Sequence, residues 1–175
     1  VAQEARMPQF TGGEATAITA QGNPYIFRTS FSQVQAMPKV AAYLADQVRA
    51  QSVSVIWVNN DFGKGGRDAI MAELQRRNVR VAVDVSTEQN QVDFSSAVVR
   101  AKNANADALF VYLNEDESAR ILREIRRQGY DKPIIGETVL PSQQVIELAG
   151  DAANGIRGHV GLTVDAPVPA IQDFG

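Results

Sequence analysis

The sequence predicts an α/β fold, a doubly wound parallel sheet in three αβα layers. First, compact β-branched runs alternate with helically spaced apolar residues between Ala36 and Gly155. Second, two of those runs, 53–58 and 108–113, are almost continuously apolar, as strands covered on both faces must be. Third, 45% hydrophobic and 21% charged residues describe an ordinary globular chain able to bury a core.

The first thirty residues stand outside this rhythm: 7–14 reads as a short extended piece running into glycines, and 23–29 as another. Ala41, Leu44, Ala45 and Val48 then recur at helical spacing ahead of the strand at 53–58. Ala69, Ile70 and Leu74 repeat that spacing until Asn78 stops it. The alternating residues 79–85 predict an edge or near-edge strand. Asp93 is positioned to N-cap a helix running to about Asn103.

After the strand at 108–113, a helix over about 116–128 ends at Gly129, which can adopt a left-handed cap. Its Ala119, Leu122 and Ile125 face inward, while Arg120, Arg123, Arg126 and Arg127 form a solvated face interleaved with Asp116, Glu117 and Glu124. Residues 133–136 give a fourth parallel strand, opened by a proline where the missing N–H costs least. Residues 155–164 read as a further strand, and Pro167 and Pro169 as a stiff exit. No internal repeat or low-complexity tract interrupts the order.

Charge and composition narrow the function. Seventeen Lys and Arg against twenty Asp and Glu give a net charge of −3, which is no footprint for nucleic acid or an anionic membrane. The absence of cysteine removes disulfides, thiolate nucleophiles and zinc-thiolate sites, and one histidine, His159, leaves little for a metal centre. No apolar stretch reaches the roughly 18 residues needed to span a bilayer. The chain starts without Met and stops at Gln172-Asp173-Phe174-Gly175 without an element-ending logic, so an excerpt or processed product is expected.

Catalytic motifs fail one by one. Gly63-Lys64-Gly65-Gly66 lacks the phosphate-loop spacing, and Asp68 stands where a dinucleotide fingerprint needs its third glycine. Asp61-Phe62-Gly63 copies the kinase magnesium triplet without any other kinase element. There is no nucleophile elbow and no zinc-protease motif, and His159, among glycines, is expected to be structural or at the surface. The expectation is a non-enzyme with no catalytic residues, no metal and no cofactor.

Geometry supplies a positive lead, because open parallel sheets bind ligands beyond the carboxyl ends of their strands. Those ends carry Asn59, Asn60, Asp61 and Phe62, then Asn114 and Glu115, then Glu137 and Thr138. Two carboxylates, an aromatic ring and amides on one rim suit a small polar ligand with an ammonium group. Glu115 or Glu137 would be the counter-ion and Phe62 an apolar wall. The bland alternative is that these loops are polar because they are on the surface, and Glu115 also complements its helix dipole.

Several segments together resemble the periplasmic substrate-binding proteins of ABC transporters of the branched-chain amino acid type. They are 23–29, 60–65, 93–96, 106–110, 121–123 with Gln128-Gly129, and 149–155. The resemblance implies a type I periplasmic-binding fold, with two Rossmann-like lobes closing by a hinge around a solute that is not chemically altered. This chain would be centred on the second lobe: residues 1–29 end the first lobe and make the first crossing, 30–162 form the second lobe, and 163–175 return. The first lobe's remainder would be a missing partner half. The resemblance also implies that Thr11, Gly13 and Thr16 hold a ligand carboxylate, and that Phe62, Asn114, Glu115, Glu137 and Thr138 contribute from the second lobe. Phe62 replaces a frequent tyrosine, and Asn114 or Glu115 a frequent aromatic. It further implies a periplasmic or surface-attached location after loss of a signal peptide, and a membrane permease as partner. The competing reading is the ligand-sensing domain of a regulator or receptor with the same fold.

Overall fold

The computed structural model describes residues 2–161 and 167–173. Two short strands, β1 (Gln9–Thr11) and β2 (Ile26–Arg28), pair in parallel as a separate ribbon, preceded by α1 (Ala2–Ala5) and bridged by α2 (Ala17–Ala20). The two extended pieces read near the N-terminus are therefore partners of one another. Phe10 and Phe27 sit side by side on this ribbon at 5.6 Å, both exposed.

The second sheet has five parallel strands: β3 (Ser52–Val58), β4 (Arg80–Thr87), β5 (Ala108–Tyr112), β6 (Ile134–Gly136) and β7 (Arg157–Gly158), in the order β4-β3-β5-β6-β7. Helices α3 (Gln33–Ala42), α4 (Asp61–Arg76), α5 (Ser95–Asn103), α6 (Glu115–Arg127) and α7 (Gln143–Ala149) cover both faces. The strand period of two sorts the core. Val53 and Val55 pack with Met37, Val40, Ile70 and Leu74 on the α3/α4 side, while Ile56 and Val58 pack with Val98, Leu122 and Val145 on the other. The β4 edge position expected from its alternation is the one observed.

Four sequence readings need correction. The helix read from Asp93 starts at Ser95: Phe94 turns its ring into the core, 2% exposed, and Asp93 Oδ1 accepts from Ser95 N at 2.8 Å. The strand read over 155–164 forms only at Arg157–Gly158, because just Ile135 and Gly136 stand opposite to pair with it; residues 162–164 lie outside the described set. The stiff exit contains α8 (Pro169–Gln172), since proline at the first helical position loses no needed N–H. Finally, the α6 arginines are not simply a solvated face. Arg127 pairs with Glu124, but Arg120 donates to Gln91 O, Arg123 to Leu148 O, and Arg126 to Ala152 O and Asn154 O. They tie α6 to the backbone of its neighbours.

Candidate functional site

All five strands run in parallel, so Phe62, Asn114, Glu115, Glu137 and Thr138 emerge at one edge of the sheet. Their local roles differ. Asn60 caps α4, its Oδ1 accepting from Gly63 N at 2.8 Å, and this sets the turn that carries Phe62. The Phe62 ring stacks on Tyr112 at 4.3 Å, and Tyr112 stacks in turn on Phe110 at 5.9 Å. Gln33 Nε2 clasps both elements, donating to Phe62 O at 2.7 Å and to Tyr112 Oη at 3.0 Å.

The glycines after Phe62 permit this packing. A Cβ on Gly66 would run into the Tyr112 ring, and one on Gly65 into the Gln33 amide. The Gly63-Lys64-Gly65-Gly66 run thus lets α4 approach β5 closely.

Glu137 follows β6 and is 1% exposed. Its Oε1 accepts from Thr138 Oγ1 at 2.6 Å and lies 3.2 Å from His159 Nδ1. Burial and the nearby Lys39 hold the His159 pKa below its ordinary value, which favours the neutral ring. The ring is fixed edge-on against Phe31 at 5.0 Å. His159 is structural, as read, but its structural task is to orient a buried carboxylate at the sheet edge.

Asn114 caps α6, with its backbone N–H and its Nδ2 both donating to Glu117 Oε2, at 3.2 and 2.9 Å. Glu117 also accepts from Asn90 N, which directs this corner toward the loop after β4. Glu115 occupies the first turn of α6, and among the described residues no hydrogen bond or ion pair joins it to Glu137. The structure brings Phe62, Glu137 and Thr138 into one group through Tyr112, Gln33 and His159, and leaves Asn114 and Glu115 beside it.

The remaining expected site residues lie in the turn after β1. Thr11 Oγ1 accepts from Gly13 N at 3.0 Å, and Arg28 holds the carbonyls of Gly13 and Ala15. Thr16 precedes α2 without a side-chain capping bond. Sequence reasoning passed over Glu14 in this turn. Its carbonyl accepts from Gln33 N at 3.2 Å, and its carboxyl lies against Glu137 and Thr138. Burial, then the Glu137 carboxylate, raise the Glu14 pKa to about 8. Burial likewise drives the Tyr112 phenol upward. Tyr112 was read only as a strand residue and Gln33 not at all, because the contacts that give them a role cross 79 positions of sequence.

Comparison with known proteins places this edge in context. A sequence model described as periplasmic binding protein matches residues 1–175. The chain belongs to that family. The Leu/Ile/Val-binding protein of Escherichia coli K12 is 26% identical over 142 residues, covering 81% of this chain and 39% of that protein. The leucine-specific-binding protein of Salmonella typhimurium is 23% identical over 145 residues, covering 83% and 39%. The chain thus spans well under half the length of these curated relatives. Among solved structures, a leucine binding protein of Thermotoga maritima superposes with a TM-score of 0.89 at 22% identity, over 99% of this chain and 50% of that one. A solute binding protein of R. palustris in complex with 4-hydroxybenzoate gives 0.87 at 22%, over 98% and 48%. The type I periplasmic-binding architecture expected from the sequence is the one these structures share.

Proposed function

We propose that this chain is the ligand-contacting second lobe, with its crossing segments, of the solute-binding component of an ABC importer. Residues 1–29 would end the first lobe, 30–162 form the second, and 163–175 return. The whole protein captures an amino acid or a related small carboxylate between its lobes by hinge closure, leaves it chemically unchanged, and delivers it to a membrane permease from the periplasm or the cell surface.

The observation that carries this reading is the polar group buried at the carboxyl edge of the sheet. Glu137 and Gln33 are each 1% exposed, yet Glu137 Oε2 and Gln33 Oε1 have no hydrogen-bond partner. A buried polar atom without a partner costs roughly 1–3 kcal/mol, so such atoms gather where a ligand supplies the missing donors. The stacked Phe62 and Tyr112 rings offer an apolar wall beside them. That wall suits a branched aliphatic group, as in the relatives named for leucine, isoleucine and valine, or a ring, as in the benzoate and 4-hydroxybenzoate complexes.

The test is a thermal-shift screen on protein of the relatives' full length, with L-leucine, L-isoleucine, L-valine, benzoate and 4-hydroxybenzoate. A ligand at about 100 times its Kd stabilises by roughly 2.7 kcal/mol, a shift of several degrees. At least one compound is expected to produce it and to be recovered unaltered. Silence from the whole panel, or conversion of a bound compound, overturns the reading.

A further inference from the structure

Of five cavities among the described residues, four carry a carboxylate in their lining: Asp131 in two of them, Asp68 and Asp116 in the others. The fifth carries none. It lies between α3 and the edge strand β7, holds about 190 Å³, and is floored by Val40 and Ile135, each 2% exposed. Tyr43 makes a wall at the start of a π-helical turn, Tyr43–Gln47, that continues α3, a distortion that recurs at functional sites. Two exposed cations, Lys39 from α3 and Arg157 from β7, complete the lining. Among the described residues neither pairs with a carboxylate. The Lys39 side chain has no hydrogen bond or ion pair, and Arg157 donates one N–H to Tyr43 Oη at 2.5 Å with its guanidinium 5.9 Å from the Tyr43 ring centre. His159, following β7, lines the end toward the carboxyl edge of the sheet. Burial and then Lys39 lower its pKa, so the lysine's positive field reaches that wall. The nearest acid there, Glu137, is engaged by His159 and Thr138 and does not line the cavity.

We propose that this cavity is a second binding site, separate from the carboxyl edge of the sheet, for a small monocarboxylate whose body is one ring or a branched chain of similar bulk. Its carboxylate would sit between Lys39 and Arg157, and its apolar body on Val40, Tyr43 and Ile135. Arg157 keeps N–H groups that Tyr43 does not engage and can meet a carboxylate with them, while Lys39 adds a compact charge. The apolar floor rewards a body that displaces water from it. Size sets the upper bound: a cavity of about 150 Å³ takes benzene, so this one has room for a single ring and little more. All of these residues lie between Lys39 and His159, so the site depends neither on the receptor reading nor on the turn after β1.

The experiment titrates this chain with benzoate, followed by amide NMR shifts. Benzamide keeps the ring without the charge, and acetate keeps the charge without the ring. Benzoate is expected to give saturable shifts concentrated at Val40, Tyr43 and residues 157–159. Benzamide and acetate should each bind at least tenfold more weakly, and Lys39→Gln and Arg157→Gln should each weaken benzoate by a similar factor. Arg157→Lys should recover part of that loss. Both substituted side chains are exposed, so melting points should stay unchanged. The same shifts at residues 157–159 are expected on protein of the relatives' full length. Equal affinity for benzamide, or benzoate affinity unchanged in both glutamine variants, overturns the site, as does the absence of any saturable shift. Shifts centred on Phe62, Tyr112 and Thr138 would mean that benzoate enters at the carboxyl edge, which overturns the second site and agrees with the receptor reading. Shifts at residues 157–159 that vanish at full length would mean that another segment fills the cavity, and this too overturns it.

Discussion

Replacing Gly66 by alanine sets two opposed effects against each other. Gly66 lies inside α4, where alanine is intrinsically better than glycine by about 1 kcal/mol. The added methyl, however, would stand 2.6 Å from both Cδ1 and Cζ of Tyr112 and closer still to Cε1. That ring cannot step aside: it is 2% exposed, stacked between Phe62 and Phe110, and bonded through its hydroxyl to Gln33. Overpacking a closed core costs roughly 1–3 kcal/mol and occasionally more, and this geometry belongs at the upper end. The net expectation is a loss of about 2 kcal/mol, seen as a melting point lower by roughly 4–8 °C for a chain of this size. Thermal denaturation followed by circular dichroism measures it. Gly66→Ala combined with Tyr112→Leu should lose less than the sum of the two single changes, because the smaller side chain makes room for the methyl. An unchanged or higher melting point for Gly66→Ala, or strict additivity in the pair, would show that the close approach of α4 to β5 is not what the glycine serves.

Other outcomes follow from single contacts. Asn60→Ala removes the oxygen that caps Gly63 N and should cost about 1 kcal/mol in urea denaturation, with Asn60→Ser recovering most of it. Asp107 Oδ2 accepts from Gln51 N, Ser52 N and Ser52 Oγ at 2.9, 2.9 and 3.0 Å, so Asp107→Ala should cost roughly 1–2 kcal/mol. Those backbone donors lower the Asp107 pKa beneath 3.8, so its contribution is present above about pH 4 and is lost as pH falls through the folded value. Asp107→Asn should flatten that acid limb. Glu14 has the opposite sign: its folded pKa of about 8 exceeds the ordinary 4.5, so stability is greatest below that ordinary value and declines as pH rises toward 8. Because Glu14 is only partly buried, the slope should stay below the one-proton limit of about 1.4 kcal/mol per pH unit, and denaturation at a series of pH values should find it absent in Glu14→Gln.

Much of the architecture was legible because burial on both faces writes itself into composition. Residues 53–58 and 108–113 could only be central strands, and Asn78 and Gly129 marked helix ends that hold, both at positive φ. Elements with little buried apolar area left no such trace. In α7 only Val145 and Ala149 are buried, and both residues of β7 are exposed, so neither carries a periodic signal of usable length. The N-cap at Asp93 was misplaced by one residue because Phe94, an apolar residue of the kind that begins a helical stripe, is a core residue ahead of the helix.

For the site, the rule that parallel strands open on one edge placed Phe62, Glu137 and Thr138 correctly on that edge, from chain order alone. It could not show that Asn114 is bonded to Glu117, nor that Glu14 comes from another segment to meet Glu137. Such pairings depend on how segments distant in sequence dock, and they have no local periodicity. His159 illustrates the same limit: a single histidine among glycines reads equally as structural or surface until the tertiary contact with Glu137 is known.

The carboxylate of Glu137 is steered by residues on the chain that leaves β7. His159 N donates to Gly136 O, its ring reaches Glu137, and a side chain on Gly161 would collide with Phe31, the ring against which His159 rests. The segment that leaves β7 and the buried acid are consequently one mechanical piece. Any torsion that swings residues 159–161 must also turn the Glu137 carboxylate.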